Sequence, residues 1–160
     1  MGDEGSDRIE AFVGAARRAS GLPIEPYDAS AFGNSAAMVD ELAALVVAGT
    51  KRATAGLLAG YEADGSPLPV AGDWSVVLDG TGQPVAVIRT AQVTVVAFAE
   101  VDAAFAWDEG EGDRTLAYWR EEHRRFFSRS GQPFDDESPV VCERFEVVYP
   151  LPARPKRQAL

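Results

Sequence analysis

Residues 84–98 read PVAVIRTAQVTVVAF, a run rich in valine, threonine and isoleucine with apolar residues on both of its faces. This composition is typical of a β-strand. A strand of this length with two apolar faces fits a curled sheet or a small barrel better than a flat sheet with one face in water. The stretch therefore predicts a fold organised around a curved sheet.

Two further strands are predicted on either side of the long one. Residues 74–79 read WSVVLD, and the turn sequence DGTGQP joins them to the long strand, which is the pattern of a hairpin. Residues 140–150 read VVCERFEVVYP and form the last predicted strand.

Three helices are predicted from apolar residues at helical spacing, over residues 6–21, 35–48 and 113–127. The second is expected to end at Gly49, because glycine takes the left-handed conformation that closes a helix. The order helix, helix, strands, helix, strand indicates an α+β fold, a small β-barrel with flanking helices. We expect residues 1–30 to be an N-terminal helix and loop packed on the domain, residues 31–150 to form the domain, and residues 151–160 to be a loose basic tail.

Composition limits the classes of function. The 160 residues fit one domain, and a formal net charge of −10 opposes indiscriminate binding to nucleic acid. No apolar run is long enough to span a bilayer, and the acidic N-terminus does not resemble a secretory signal, so we predict a cytoplasmic protein with no membrane partner and no obligate protein partner.

The metal-binding and thiol chemistry of the chain is also limited. The single histidine, His123, and the single cysteine, Cys142, exclude disulfides within the chain and zinc sites built from these residue types. His123 lies on the apolar face of the third predicted helix and is interpreted as a packed, hydrogen-bonded side chain. Cys142 is interpreted as a buried apolar residue.

One short stretch points to a functional site. Residues 45–56 read LVVAGTKRATAG, and Lys51 follows the end of the second helix. The fifteen basic residues include only two lysines, Lys51 and Lys156. Because arginine stays charged whereas a desolvated lysine can lose its proton, a lone lysine in an arginine-rich chain suggests a chemical role.

This stretch resembles the signature of the ASCH family, through the spacing of Gly49, Lys51 and Thr54. The resemblance extends to AGDW at residues 71–74, EGEGDRTLAYWREEHRRFF at 109–127 and VCERFEVV at 141–148. It implies a small β-barrel similar to the PUA domains that bind RNA. Family members act on RNA or on nucleosides. Some resemble amidohydrolases that remove an acyl group from cytidine, and others are metal-dependent ribonucleases.

The resemblance places the catalytic residues of a hydrolase on Lys51, Thr54 and Glu111, with Glu109 as the alternative acid. It implies no cofactor for an amidohydrolase acting on an acylated cytidine. A ribonuclease would use a divalent metal held by carboxylates such as Glu109, Glu111 and Asp113. A non-catalytic RNA-binding module is the third hypothesis.

Two divisions of labour fit an amide hydrolysis by these residues. In the first, Lys51 accepts a proton from the nucleophile Thr54, while Glu111 orients the lysine or protonates the leaving nitrogen. In the second, Glu111 activates water and Lys51 stabilises the oxyanion. A base or phosphate also needs stacking and cationic side chains. The residues predicted to bind the ligand are Arg52, Arg89, Tyr118 and Arg125.

Overall fold

The computed structural model describes residues 3–151. In this range the chain has five α-helices, one short 3-10 helix and five strands, which confirms the α+β class. The helices are α1 (Asp3–Ser20), α2 (Ala36–Val47), α3 (Leu58–Asp64), α4 (Ala103–Glu109) and α5 (Leu116–Ser128), with the 3-10 turn at Phe98–Glu100. The strands are β1 (Tyr27–Ser30), β2 (Ala53–Leu57), β3 (Trp74–Leu78), β4 (Pro84–Ala97) and β5 (Pro139–Tyr149).

The five strands form one mixed sheet in the order β1-β3-β4-β5-β2. β1 runs parallel to β3, whereas β3 pairs antiparallel with β4 and β2 pairs antiparallel with β5. The predicted hairpin of β3 and β4 is therefore confirmed. Within residues 3–151 the order ends at two different strands, β1 and β2, so the sheet is not closed. The expected barrel is corrected in this respect: a sheet that keeps two edge strands lacks the last ladder that closure requires.

The chain divides into two compact units, and β4 and β5 each contribute to both. Among the described residues, the first unit contains residues 3–50, 74–89 and 146–151, and the second contains residues 51–73 and 90–145. In the first unit, the apolar face of α1 packs on β3 and the start of β4. The buried residues of this cluster are Val13, Ala16, Ile24, Trp74, Val76 and Val87.

The second unit has a core of its own, in which α4 and α5 cover β2 and part of β5. Its buried residues are Ala53, Leu57, Phe98, Val101, Phe105, Ala106, Trp119, Phe127, Val140 and Cys142. α4 was not predicted from the sequence, although both of its ends carry capping residues. Asp102 caps its start by accepting a hydrogen bond from the Phe105 amide at 2.9 Å, and Gly110 ends it with φ of 73°.

The predicted basic tail lies outside the described residues apart from Leu151. Among the described residues, no helix is both long and apolar enough to cross a lipid bilayer. The predicted burial of Cys142 is confirmed, since the residue is 4% exposed.

Candidate functional site

Lys51 lies just before β2 and is almost completely buried, with 1% of its surface exposed. Its Nζ lies 2.7 Å from the carbonyl oxygen of Ala53, 3.0 Å from Oε2 of Glu111 and 3.5 Å from the carbonyl oxygen of Glu109. An ammonium group has three N–H donors, and each has an oxygen in this arrangement. The acceptors around Nζ therefore come from the first residue of β2, the last residue of α4 and the loop that follows α4.

The carboxylates of the site come from the loop between α4 and α5. Glu109 is the last residue of α4 and is 1% exposed, whereas the Glu111 side chain is 27% exposed. Gly110 and Gly112 have φ of 73° and 59°, a conformation that glycine adopts without the steric cost of a Cβ. The ring of Tyr118 covers Gly112 so closely that a Cβ there would lie 2.3 Å from ring carbons.

His123 of α5 is the partner of the buried Glu109. Its Nε2 lies 3.2 Å from Oε2 of Glu109, its Nδ1 lies 2.9 Å from the carbonyl oxygen of Trp119, and its ring stacks on Trp119 at 4.1 Å. A carbonyl oxygen only accepts, so we assign a proton to Nδ1. An ionised Glu109 also only accepts, so the second contact requires a proton on Nε2. The geometry is that of an imidazolium–carboxylate pair.

The electrostatics of the cluster agree with this assignment. Burial opposes ionisation of Glu109, but the charges of Lys51 and His123 outweigh it and hold its pKa below the usual range. Burial likewise opposes charging of His123, and the Glu109 carboxylate reverses that effect and raises the histidine pKa. Burial raises the pKa of Glu111, and the charge of Glu109 adds to the increase despite the opposing effect of Lys51. Glu111 is thus the carboxyl of the cluster that most readily exchanges a proton.

Thr54 lies on β2 and is paired with Glu143 of β5. Directly paired residues share one face of a sheet, and alternate residues of a strand point to opposite faces. Thr54 therefore lies beside Glu143, on the face of β2 opposite to the buried Ala53. The buried Thr90 donates a hydrogen bond of 2.7 Å from its hydroxyl to Oε2 of Glu143.

Two of the four residues predicted to bind the ligand, Arg52 and Tyr118, adjoin the cluster formed by Lys51, Glu109, Glu111 and His123. Arg52 is exposed, its Nη2 lies 3.3 Å from Oδ1 of Asp108, and its amide donates to the Asp108 carbonyl at 2.7 Å. The half-buried ring of Tyr118 packs on Gly112, next to Glu111 in the loop.

The other two predicted binding residues, Arg89 and Arg125, contact partners of their own. Arg89 is an exposed residue of β4, in the first unit, and its guanidinium lies 5.0 Å above the ring of Trp74. Arg125 lies on the exposed face of α5 and forms ion pairs with Glu121 and Glu122 of the same helix. Within the second unit, no described contact joins Arg125 to Lys51, Glu109, Glu111 or His123.

The carboxylates and the histidine invite a test for a metal site. Single ligand atoms from Glu109, Glu111 and His123 lie within 4.8 Å of one another. However, the ammonium of Lys51 lies 3.0 Å from Oε2 of Glu111, and Nε2 of His123 already faces Glu109. A divalent cation at this position would be repelled by the ammonium of Lys51 and by the proton on Nε2 of His123. The arrangement therefore does not fit a metal ion, and we derive no chemistry through one.

Neither the pairing of Glu109 with His123 nor the position of Glu143 beside Thr54 was predicted from the sequence. The interpretation of His123 as packed and hydrogen-bonded is confirmed, but nothing in the sequence identifies Glu109 as its partner. Glu109 is the last residue of α4, a helix that was not predicted from the sequence. For Glu143, the only available signal was its place in the stretch VCERFEVV.

A family model and a solved structure identify the same family for this chain. A family model described as an ASCH domain matches residues 28–149. The crystal structure of an ASCH domain from Lactobacillus crispatus JV V101 is 31% identical, with a TM-score of 0.80 over 91% of this chain and 94% of that one. A protein from Enterococcus faecalis V583 is 36% identical, with a TM-score of 0.76 over 88% of each chain. No curated protein matches this chain significantly.

Proposed function

This chain belongs to the ASCH domain family, whose fold is PUA-like, and from that premise we propose that it hydrolyses an acyl amide on a cytidine-like nucleoside or nucleotide. The observation that carries the proposal is the contact of 3.0 Å between the buried Nζ of Lys51 and the partly exposed carboxylate of Glu111. A fixed cation beside a carboxyl of raised pKa provides both groups that amide hydrolysis requires.

The contacts of Lys51 support one of the two divisions of labour. A lysine that acts as a base needs a lone pair, but Nζ lies near three oxygens that accept hydrogen bonds. We therefore assign Lys51 to the oxyanion and Glu111 to proton transfer. Thr54, which follows Lys51 by three residues in the sequence, is assigned to positioning the substrate.

The reaction then proceeds in two proton transfers at Glu111. Glu111 takes a proton from water as the water oxygen attacks the amide carbon, and the ammonium of Lys51 stabilises the negative charge that develops on the carbonyl oxygen. Glu111 next gives the proton to the nitrogen as the carbon–nitrogen bond breaks. The products are a carboxylic acid and the free exocyclic amine. No other reactant is needed.

The experiment follows the conversion of N4-acetylcytidine to cytidine by chromatography. We expect activity with and without EDTA, and we expect Glu111→Gln to lower turnover by roughly 10²–10⁴-fold, the usual contribution of a positioned acid–base group. Glu62→Gln, a change of the same kind at an exposed position on α3, is the control and should keep the parental rate. Because the ionised Glu111 starts the reaction, the rate should rise with pH through a midpoint above 4.5, the ordinary value of this carboxyl.

Two results would contradict the proposal. One is a Glu111→Gln variant with the parental rate. The other is cleavage of single-stranded RNA that EDTA abolishes, without any deacylation, which would identify a metal-dependent ribonuclease instead.

A further inference from the structure

One oxygen of the buried Glu109 carboxylate lacks a donor when both carboxyl groups of the site are ionised. Its Oε2 lies 3.2 Å from Nε2 of His123, whereas its Oε1 is buried and accepts no hydrogen bond within residues 3–151. The whole residue is 1% exposed, so bulk water does not reach this oxygen. A buried carboxylate oxygen without a donor is unfavourable, so its presence in a folded protein requires a physical reason.

Glu111 can supply the missing donor when it is protonated. Single carboxyl oxygens of Glu109 and Glu111 lie within 4.8 Å of each other, and the two side chains form a hydrogen bond when one of them carries a proton. Despite its burial, Glu109 stays ionised because of the charges of Lys51 and His123, so the proton belongs to Glu111. Two carboxyl groups this close tend to share one proton rather than ionise together.

The charged groups that face these carboxyls come from several elements. Before β2, the ammonium of Lys51 lies 3.0 Å from Oε2 of Glu111, and His123 of α5 faces Glu109. From β5, the thiol of Cys142 faces Glu109 but adds no charge at neutral pH, because burial raises its pKa to about 12. Two cations and the Glu109 anion therefore surround Glu111, and ionisation of Glu111 makes the cluster neutral.

We propose that Glu109 and His123 are positioning residues for the proton that Glu111 carries between its two transfers. The carboxylate of Glu109 accepts a hydrogen bond from protonated Glu111, and the imidazolium of His123 keeps Glu109 ionised so that it can accept. In the proposed reaction, the proton taken from water stays in this hydrogen bond until the leaving nitrogen receives it. The inference rests on the proposed function, because it takes Glu111 to be the group that transfers the proton.

The test follows the titration of the Glu109 and Glu111 carboxyl carbons by NMR, without substrate, and Glu111→Gln and Glu109→Gln assign the two signals. In the parent, the Glu109 signal should respond over the pH range in which Glu111 titrates, above 4.5, because one proton lies between the two groups. Glu109→Gln should lower the midpoint of Glu111 by about 1 pH unit or more, the usual effect of a neighbouring charge. His123→Gln should raise the pH at which the pair loses its last proton, because a positive charge beside it is lost.

A merely structural role of the two residues predicts a different result. If each variant only loosened the site and admitted water, both would move the midpoint toward 4.5, the ordinary value of this carboxyl, and thus in the same direction. The midpoint of the rate of N4-acetylcytidine hydrolysis against pH should shift in the same two opposite directions as the NMR midpoint.

The matched controls remove exposed charges from the helix that carries His123. Glu121→Gln on α5 and Arg129→Gln at its C-terminal end should leave the midpoint of Glu111 unchanged. Circular dichroism checks that each variant is folded, and the parent titration decides the question if the His123 variant is not.

Two results overturn the inference, namely midpoints that move in the same direction in the two folded variants and a parental Glu109 signal that does not respond as Glu111 titrates. Deacylation together with either result rejects the inference alone. Opposite shifts without deacylation by the parent reject the proposed activity alone.

Discussion

Gly112 is the residue at which the geometry of the site has least tolerance. It combines φ of 59° with a tyrosine ring so close that a Cβ would lie 2.3 Å from it. The loop that carries Glu111 therefore lies against Tyr118 only because Gly112 has no side chain. The same contact limits the movement of the carboxyl relative to Lys51.

We predict that Gly112→Ala destabilises the protein in two ways. A left-handed alanine costs about 1–2 kcal/mol, and the collision with the Tyr118 ring adds about 1–3 kcal/mol. Gly65→Ala is the matched control, because Gly65 has φ of 65° and nothing within 4 Å of the added Cβ. Urea unfolding measures both changes. An equal loss of stability in the two variants would show that the Tyr118 ring moves away freely.

Single residues differ in how far the sequence reveals them. Lys51 was recognisable because lysine is rare in the chain, and Glu111 because it falls within a stretch that resembles a known family. The pairing of Glu109 with His123 was not predictable, because it depends on where α4 ends and on the rotation of α5. Neither of these two features can be predicted from the local sequence, because α4 has only seven residues.

At the scale of elements, the site depends on the C-terminal end of α4. A carboxylate is unfavourable at this end of a helix, where the carbonyl oxygens already carry partial negative charge. Glu109 is also buried, which further disfavours its ionised form. The cations Lys51 and His123 offset both effects, so β2 and α5 are joined to the end of α4 by charge as well as by packing.

We predict that His123→Gln and Glu109→Gln each lower the free energy of unfolding by about 3–5 kcal/mol, because each removes one partner of the buried pair of His123 and Glu109. The double variant should lose less than the sum. The exposed pair Glu121 and Arg125 on α5 is the control, and breaking it should cost about 0–1 kcal/mol.

The effect of His123→Gln should depend on pH in a defined direction. The pKa of His123 is raised on folding, so its stabilising contribution is complete below its ordinary value of 6.5 and is lost as pH rises through the folded value. The pKa of Glu109 is lowered, so its contribution is complete above 4.5 and is lost as pH falls through the folded value. The coupling energy is the difference between the stability loss of the double variant and the sum of the two single losses. We expect this energy, measured by unfolding, to be largest between pH 4.5 and 6.5, where His123 and Glu109 are both charged in the folded protein. Coupling that grows as pH rises above this window would contradict the imidazolium assignment.

The elements also differ in how predictable they were. β4 has 14 residues and α1 has 18, so each repeats its pattern often enough to be recognised. α3 and α4 have seven residues each and β1 has four, which is too short for a clear periodicity. These short elements form because tertiary contacts hold them, as for α4, whose Phe105 and Ala106 are buried in the core of the second unit.

For the whole molecule, the main electrostatic feature is the net charge of −10. Self-repulsion of this size opposes the compact state and is weakened by salt. The ion pairs at the surface, such as Arg124 with Asp136, add little to stability by comparison.

We predict that the thermal midpoint rises when NaCl increases from about 10 mM to about 150 mM, because the screening length falls from about 30 Å to about 8 Å. The same titration near pH 4.5, the isoelectric point of the sequence, should show little change. Differential scanning calorimetry measures both series. A midpoint that falls with salt at neutral pH would mean that attractive surface pairs outweigh the repulsion.

The place of β2 in the sheet has a consequence for the order of folding. Lys51 lies two residues before the start of β2, and the neighbour of β2 in the sheet is β5, the last strand within residues 3–151. Glu111 lies 60 residues beyond Lys51. During synthesis on a ribosome, Lys51 emerges long before Glu111, and β2 emerges long before β5, the strand with which it pairs. The contact between Lys51 and Glu111 therefore forms only after the chain between them has emerged, and long-range closure of this kind is slow.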